Sequence, residues 1–422
     1  MKRSFVRVEP DSHFPIQNLP YGVFRPRGGG PPRVGVAIGG EVLDLDALDR
    51  AGCFAPAAAS GLGVFAQPSL NRFLALGRPA WRQVRETISR LLDADEPALR
   101  DNEALRAAAL RPQREVELLL PAEVGDYTDF YASRAHAEHV GTLFRGKDNA
   151  LMPNWLHLPV GYHGRSSSLI AGGTDVRRPN GQLKPPDAEA PRFGPSRQLD
   201  FELEAGWLIG TGNGQGRPIA VADAEDHLFG LTLVNDWSAR DIQAWEYQPL
   251  GPFLGKSFAT SVSPWVVPLE ALAPFRVPAG KQEPEPLPYL RSPSPETFDI
   301  RLEAYLQGGA MERPERIAAS SYRELYWTIA QQVAHHTSGG CNLRPGDLLA
   351  SGTISGAARG ARGCLLELTW RGAEPLRLGG GETRTWLEDG DLVILTGWCQ
   401  GDGYRVGFGE LAGRVLPALP YP

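Results

Sequence analysis

Residues 199–204 read Leu-Asp-Phe-Glu-Leu-Glu. Three acids stand on alternate positions of an apolar run. In a strand, alternate side chains point to the same face. Asp200, Glu202 and Glu204 would then share one face, with Leu199, Phe201 and Leu203 on the other. Like charges lined up on a half-buried face repel one another. A chain that folds this stretch as a strand must offset the repulsion with water or with a bound cation.

The rest of the chain supplies a core large enough for such a strand. It has 422 residues, 42% of them apolar, which suits two domains. Charged residues make up 22% and the net charge is −6, with no long run of one sign. That balance argues against nucleic acid or an anionic membrane as partner. The 49 glycines and 37 prolines, with aromatics between them, point to many short strands and turns. Cys53, Cys341, Cys364 and Cys399 form no C-x-x-C pair, so neither a disulfide framework nor a structural zinc site is expected. The first residues, MKRSFVRVEPDSHFP, lack an apolar signal core, and no run of about 18 apolar residues occurs. A soluble cytoplasmic protein is the expectation.

In the first 120 residues, Arg33–Leu45 alternates at Val34, Val36 and Ile38, with Gly39–Gly40 as a hairpin turn. From about 69 to 111 the period becomes helical, with Trp81, Val84, Ile88, Leu91 and Leu92 on one stripe. A boundary falls near residue 120. Beyond residue 170 the chain is mostly strand-like. Residues 276–299 read as a long loop, Ser321–Thr337 as a helix stopped by Gly339–Gly340, and CLLELTWRG as part of a β-rich region. No internal repeat is present, so the class is α+β and dominated by mixed or antiparallel strands.

Several near-motifs fail on spacing. Gly251–Ser257 has three residues between its glycines where a P-loop needs four. In Gly352–Gly356 the serine, Ser355, is fourth instead of third for a nucleophile elbow. Gly401–Gly407 lacks the last glycine of a dinucleotide fingerprint and has no helix to follow. His136 and His139 would suit a zinc pair, but no further ligand stands at suitable spacing, so they read as partly exposed helix histidines. His335 and His336, near a helix end, read as structural.

Two more acids matter. Asp129 precedes a helical stretch, and Asp236 ends a very apolar strand. Taken singly, each is a helix cap. Taken with Glu202 and Glu204, they would form an all-oxygen cage suited to Mg²⁺ or Ca²⁺, with Arg240 and Lys256 close enough in sequence to offset excess charge. The residues alone leave both readings open, a solvated acidic face or a metal cage.

The stretches DYTDFYASRAHAEHVGTLFRGKDNALMPNWLHLPVGYHGRSSSLI, NDWSARDIQAWEYQPLGPFLGKSFATSVSPWVVP, NLRPGDLLASGTISG and CQGDGYRVGFGE resemble the fumarylacetoacetate hydrolase family. The resemblance is dense from about residue 121 to the C-terminus and looser before it. It implies a small SH3-like N-terminal β-barrel domain with a helical linker over residues 1–120, then a large mixed β-roll catalytic domain over 121–422. It places metal ligands on Asp129, Glu202, Glu204 and Asp236, with Asp200 a neighbour. A second, structural ion falls near Asp236, Lys256 and Thr260. His136 becomes the catalytic histidine and Glu367 its acidic partner. Arg240, Gln243 and Lys256 surround the carbonyl under attack. Tyr131, Arg145, Tyr162, Gln243, Tyr247 and Thr353 hold the substrate. The implied reaction is hydrolysis of the carbon–carbon bond of the β-diketone 4-fumarylacetoacetate, the last step of tyrosine breakdown, by a homodimer. The nearest alternatives are an acylpyruvate hydrolase or a 2-oxo-acid isomerase or decarboxylase of the same superfamily, and, further off, a non-catalytic cation-binding protein.

Overall fold

The computed structural model describes residues 2–421. Strands Arg33–Ile38 and Glu41–Asp44 pair antiparallel with Ile38 opposite Glu41, so Gly39–Gly40 is their two-residue turn. Gly39 takes φ +54, a conformation glycine adopts at little cost. The N-terminal sheet has five antiparallel strands in the order Leu110–Pro112, Glu41–Asp44, Arg33–Ile38, Tyr21–Pro26, Val116–Leu119. Helix Arg78–Leu91 buries Trp81, Val84, Ile88 and Leu91, as its stripe predicts. This core continues into the next sheet, since the same apolar cluster takes in Tyr127, Leu208, Phe229, Val234 and Leu348.

The second sheet carries the site. Its order is Gly161–Gly164, Tyr127–Phe130, Leu348–Ala350, Leu203–Ile209, Leu228–Asp236, Thr260–Val262, Leu169–Ala171, and Val267–Pro268 also pairs with Leu228–Asp236. Two of these pairings are parallel and the rest antiparallel. Leu203–Ile209 and Leu228–Asp236 are buried along their whole length, which the apolar run of the second predicts. A third sheet runs Glu315–Ser321, Arg301–Gln307, Leu392–Gly401, Tyr404–Leu416, Val176–Arg177. Leu231, Leu233, Leu302, Ala304, Val393 and Leu411 fill the core that the second and third sheets share. The architecture is mixed α+β and strand-rich. Among the described residues, no helix is long and apolar enough to cross a membrane.

Four expectations need correction. The acidic stretch is not one strand. It breaks at Phe201: Leu199–Asp200 pairs with Ser238–Ala239, whereas Leu203 onward belongs to the central sheet. Residues Leu365–Leu368 are a short helix, not a strand, because the Asp200 carboxylate accepts the N–H groups of Leu365 and Leu366 at 2.7 and 3.0 Å. The helix expected from Ser321 starts only at Ile329, where Thr328 and Gln331 form a capping box. The expected loop at 276–299 contains a two-stranded ribbon, Arg276–Pro278 with Glu296–Phe298.

Candidate active site

Four carboxylates converge from interior strands of the central sheet. Asp129 comes from strand Tyr127–Phe130, Glu204 from Leu203–Ile209, Asp236 from the end of Leu228–Asp236, and Glu202 from the break just before Leu203. One oxygen from each lies within 4.8 Å of the others, and all four residues are buried. Gly352 lets the neighbouring chain come close. Its φ is +73, a Cβ there would sit 2.2 Å from the Phe130 carbonyl oxygen, and its N–H donates to Asp129 at 3.1 Å.

Two cations face this cage. Lys256 Nζ donates to Glu202 and, at 2.7 Å, to Asp236. Arg240 pairs with Glu202 at 2.8 Å and donates to Asp200 at 2.9 Å. Asp236 also accepts from Thr260 at 2.6 Å and from Tyr162 at 3.0 Å. Burial opposes ionising Glu202, yet Lys256 and Arg240 together pull its pKa down to about 2. Lys256 itself is pushed up, because Asp236 and Glu202 outweigh its burial. As an ammonium it offers donors only, so it balances charge and does not ligate.

Glu204 is different. Both of its carboxylate oxygens are buried and, among the described residues, neither meets an N–H, hydroxyl or ammonium donor; the Asp129 carboxyl is a close neighbour. Burial, and after it the Asp129, Glu202 and Asp236 charges, hold the Glu204 pKa well above the usual carboxylate range. Burial and Asp236 do the same to Asp129. Native folds leave few buried polar groups unpaired. An orphaned pair of oxygens inside an all-oxygen, net-negative cage fits a hard divalent cation.

Beside the cage lies a cluster of opposite character. Helix Arg134–Arg145, capped by Ser133, carries His136 and His139. His136 Nδ1 lies 2.6 Å from Glu367 Oε2, and His139 Nδ1 lies 2.7 Å from Glu367 Oε1. Ser355 Oγ and Cys364 Sγ donate to Oε2 at 2.7 and 3.2 Å. The Glu367 side chain is 0% exposed. Burial works against its charge, but His136 and the donors around it hold its pKa well below the usual range. His136, Cys364 and Glu367 are close enough to suggest a second metal group. However, these Glu367 oxygens are already satisfied by donors, and burial followed by the Glu367 charge pushes the Cys364 thiol far up. That arrangement suits proton-bearing partners, not a metal.

The two clusters are tied together by adjacent residues. Glu202 forms a β-bridge with Cys364, and Asp200 caps the helix that carries Glu367. Arg240 reaches both acids, so the geometry of the cage and of the histidine cluster is set jointly.

The remaining sequence-predicted residues distribute around this centre. Arg145, Arg240, Gln243 and Tyr247 line a cavity of about 120 Å³. Tyr162, Lys256, Asp236 and Thr260 line a second, of about 250 Å³. Gln243 accepts from Arg240 at 3.2 Å. Tyr131 stacks edge-on to His136 at 5.2 Å, and the buried Thr353 hydroxyl has no partner, but neither lines these two cavities. Cavities of about 890 and 740 Å³ lie elsewhere, at His13 and Trp398 and at Arg33 and Arg111. They are larger but do not adjoin the acid cage, so volume is the poorer guide. His335 and His336 bond to Tyr289 and Thr128.

Sequence reasoning missed Ser355, the capping role of Asp200, and His139. The i, i+3 spacing of His136 and His139 put both on one helix face, and that spacing was the available signal.

Comparison with known proteins agrees in extent. The family described as fumarylacetoacetate (FAA) hydrolase C-terminal matches residues 127–416, and fumarylacetoacetase N-terminal matches residues 17–121. The fumarylacetoacetase of Bos taurus is 55% identical over 418 residues, 99% of this chain and 100% of its own. That of Homo sapiens is 56% identical over 416 residues, 99% of each chain. Among solved structures, a fumarylacetoacetate hydrolase from Exiguobacterium antarcticum is similar with TM-score 0.54 at 19% identity, covering 94% of this chain and 99% of that one. A maleylpyruvate hydrolase from Sphingobium reaches 0.50 at 18%, covering 94% and 100%. These two structures share the fold.

Proposed function

The chain belongs to the fumarylacetoacetate hydrolase family, and from that premise we propose how its buried groups divide the work. It is a hydrolase that cleaves fumarylacetoacetate, a reaction of tyrosine catabolism. Hydrolysis of that β-diketone adds water across a carbon–carbon bond and yields fumarate and acetoacetate. The reaction must activate water, steady an oxyanion, and accept a carbanion as leaving group.

The orphaned oxygens of Glu204 carry the reading. We take Asp129, Glu202, Glu204 and Asp236 as holding Mg²⁺ or Ca²⁺. When bound, such an ion supplies Lewis acidity to the two oxygens of a 1,3-dicarbonyl. An ionised Glu367 only accepts hydrogen bonds, so His136 Nδ1 carries the proton and Nε2 is the basic nitrogen. His136 then takes a proton from water, and no covalent nucleophile is needed. Arg240, Gln243 and Lys256 supply donors to the oxyanion. Arg145, Tyr131, Tyr162, Tyr247 and Thr353 bind the ends of the substrate, and Thr353 has a free buried hydroxyl for that task.

The same reading takes residues 1–120 as an SH3-like support unit and 121–422 as the catalytic unit. It includes a second ion near Asp236, Lys256 and Thr260, a cytoplasmic location, and a homodimer. Exposed Trp245, Leu250, Phe253 and Leu254 on one short segment favour a covered surface there, and light scattering on the purified protein tests it.

The deciding assay follows the absorbance loss of 4-fumarylacetoacetate and of a simple acylpyruvate, with and without EDTA. The expected result is rapid, EDTA-sensitive loss of the first with release of fumarate. Loss of the acylpyruvate alone would overturn the substrate, and EDTA-insensitive turnover would overturn the metal.

A further inference from the structure

Glu367 is gripped from two sides, and only one side belongs to the dyad described above. Oε2 accepts from His136, Ser355 and Cys364. Oε1 accepts from His139 Nδ1, at 2.7 Å. The two histidines stand three residues apart on helix Arg134–Arg145, so one helix face closes on both oxygens like a fork. With the carboxylate fully buried, loss of His139 leaves Oε1 without this donor. The terminal torsion of a glutamate is broad, so a carboxylate held at one oxygen turns easily.

The surroundings of His139 are built to hold it. The Trp370 ring lies edge-on to the His139 ring at 6.0 Å. Trp370 and Arg371 take φ +48 and +58, a left-handed conformation that bulky residues rarely adopt. The Arg362 guanidinium covers the Trp370 ring at 5.0 Å, and its NH1 donates to the Glu367 carbonyl at 2.8 Å. His139 is thus fixed between the Glu367 carboxylate and a strained turn that follows the Glu367 helix. Its side chain is 17% exposed, against 4% for His136, so it stands on the outer side of the cluster.

We propose that His139 is a positioning residue for the hydrolysis. It donates to Glu367 Oε1 and thereby keeps Oε2 aligned on His136 Nδ1. The proposal rests on the His136–Glu367 dyad. It assigns His139 no contact with substrate and no proton transfer of its own. Asparagine is then the conservative replacement, since its amide nitrogen stands two bonds from Cβ, as Nδ1 does in histidine, and it can donate but cannot act as a base.

The test measures kcat, KM and Tm for His139→Ala, His139→Asn and Glu367→Gln, and for His139→Ala combined with Glu367→Gln. We expect His139→Ala to lower kcat about tenfold, the scale for loss of a partner that orients a reacting group, with KM within about twofold. His139→Asn should recover most of that loss. In the Glu367→Gln background the alanine should cost nothing more, because residues acting through one group are not additive. Unchanged kcat in His139→Ala, with or without a fall in Tm, overturns the proposal. So does an asparagine variant as slow as the alanine one, or a full tenfold loss in the Glu367→Gln background. Full activity of Glu367→Gln alone would instead sink the dyad, whereas an impaired Glu367→Gln with an unaffected His139→Ala sinks only the positioning role.

Discussion

Asp129 and Glu204 of the acid cage and Glu367 of the neighbouring cluster are all buried carboxylates, yet the proton affinities of the first two move opposite to that of the third. Asp129 is held well above the usual range by burial and the Asp236 charge, and Glu204 by burial and the Asp129 charge. Glu367, equally buried, is held well below it by His136 and its hydrogen-bond donors. Burial is the same for both, so it does not decide the outcome. The partners decide it. Where two histidines, a hydroxyl and a thiol converge on one carboxylate, the charge is already satisfied. Where four carboxylates meet two cations and two oxygens stay orphaned, something positive is still missing. The contrast distinguishes a carboxylate whose charge its neighbours already satisfy from a set able to hold a cation, without reference to any relative.

The contrast can be attacked from its strongest consequence downward. Replacing His136 by alanine removes the proposed base and should lower kcat about 10³-fold while leaving affinity for a divalent ion intact. Steady-state kinetics with calorimetric metal titration checks both halves, and parallel loss of metal binding would merge the clusters that the comparison separates. Asp200→Ala should destabilise the protein by about 3 kcal/mol, because it leaves the buried Arg240 with one acid fewer and uncaps the Glu367 helix. Denaturant unfolding measures it, and a change under about 0.5 kcal/mol would mean that the two clusters are not coupled through Asp200.

The smallest effect concerns acid. Glu367 has a depressed folded pKa, so its charge stabilises the fold above the ordinary glutamate value near 4.3. That contribution is lost as pH falls below this value toward the folded pKa. Between about pH 5 and pH 3 the wild type should therefore lose about 2 kcal/mol more stability than Glu367→Gln. Parallel pH profiles of the two proteins would show that Glu367 is not held ionised.

How much of this was legible in the sequence differs between the clusters. The buried strand ending at Asp236 could be read from its apolar run, and the helical stripe from Trp81 to Leu91 from its period. Alternation in the acidic stretch raised the need for water or a cation. It could not show the break at Phe201, because that break depends on Ser238 and Cys364, far along the chain. The residues Leu365–Leu368 look like a strand by composition and become a helix through a cap contributed from 165 positions away. His139 failed for the same reason. Its partner lies 228 residues on, so local pattern gave only a partly exposed helix histidine. Elements specified by period were readable, and those specified by a distant side chain were not.

The central claim is that the four-carboxylate cage binds a hard divalent cation through Glu204. The most direct measurement is calorimetric titration of chelator-stripped protein with Mg²⁺ and with Ca²⁺, for wild type and Glu204→Gln. The glutamine variant keeps the volume and removes one charge from the cage. The account predicts saturable binding by the wild type and at least a 100-fold weaker affinity in the variant, about 2.7 kcal/mol. Equal affinity in both proteins, or no binding by either, would contradict it.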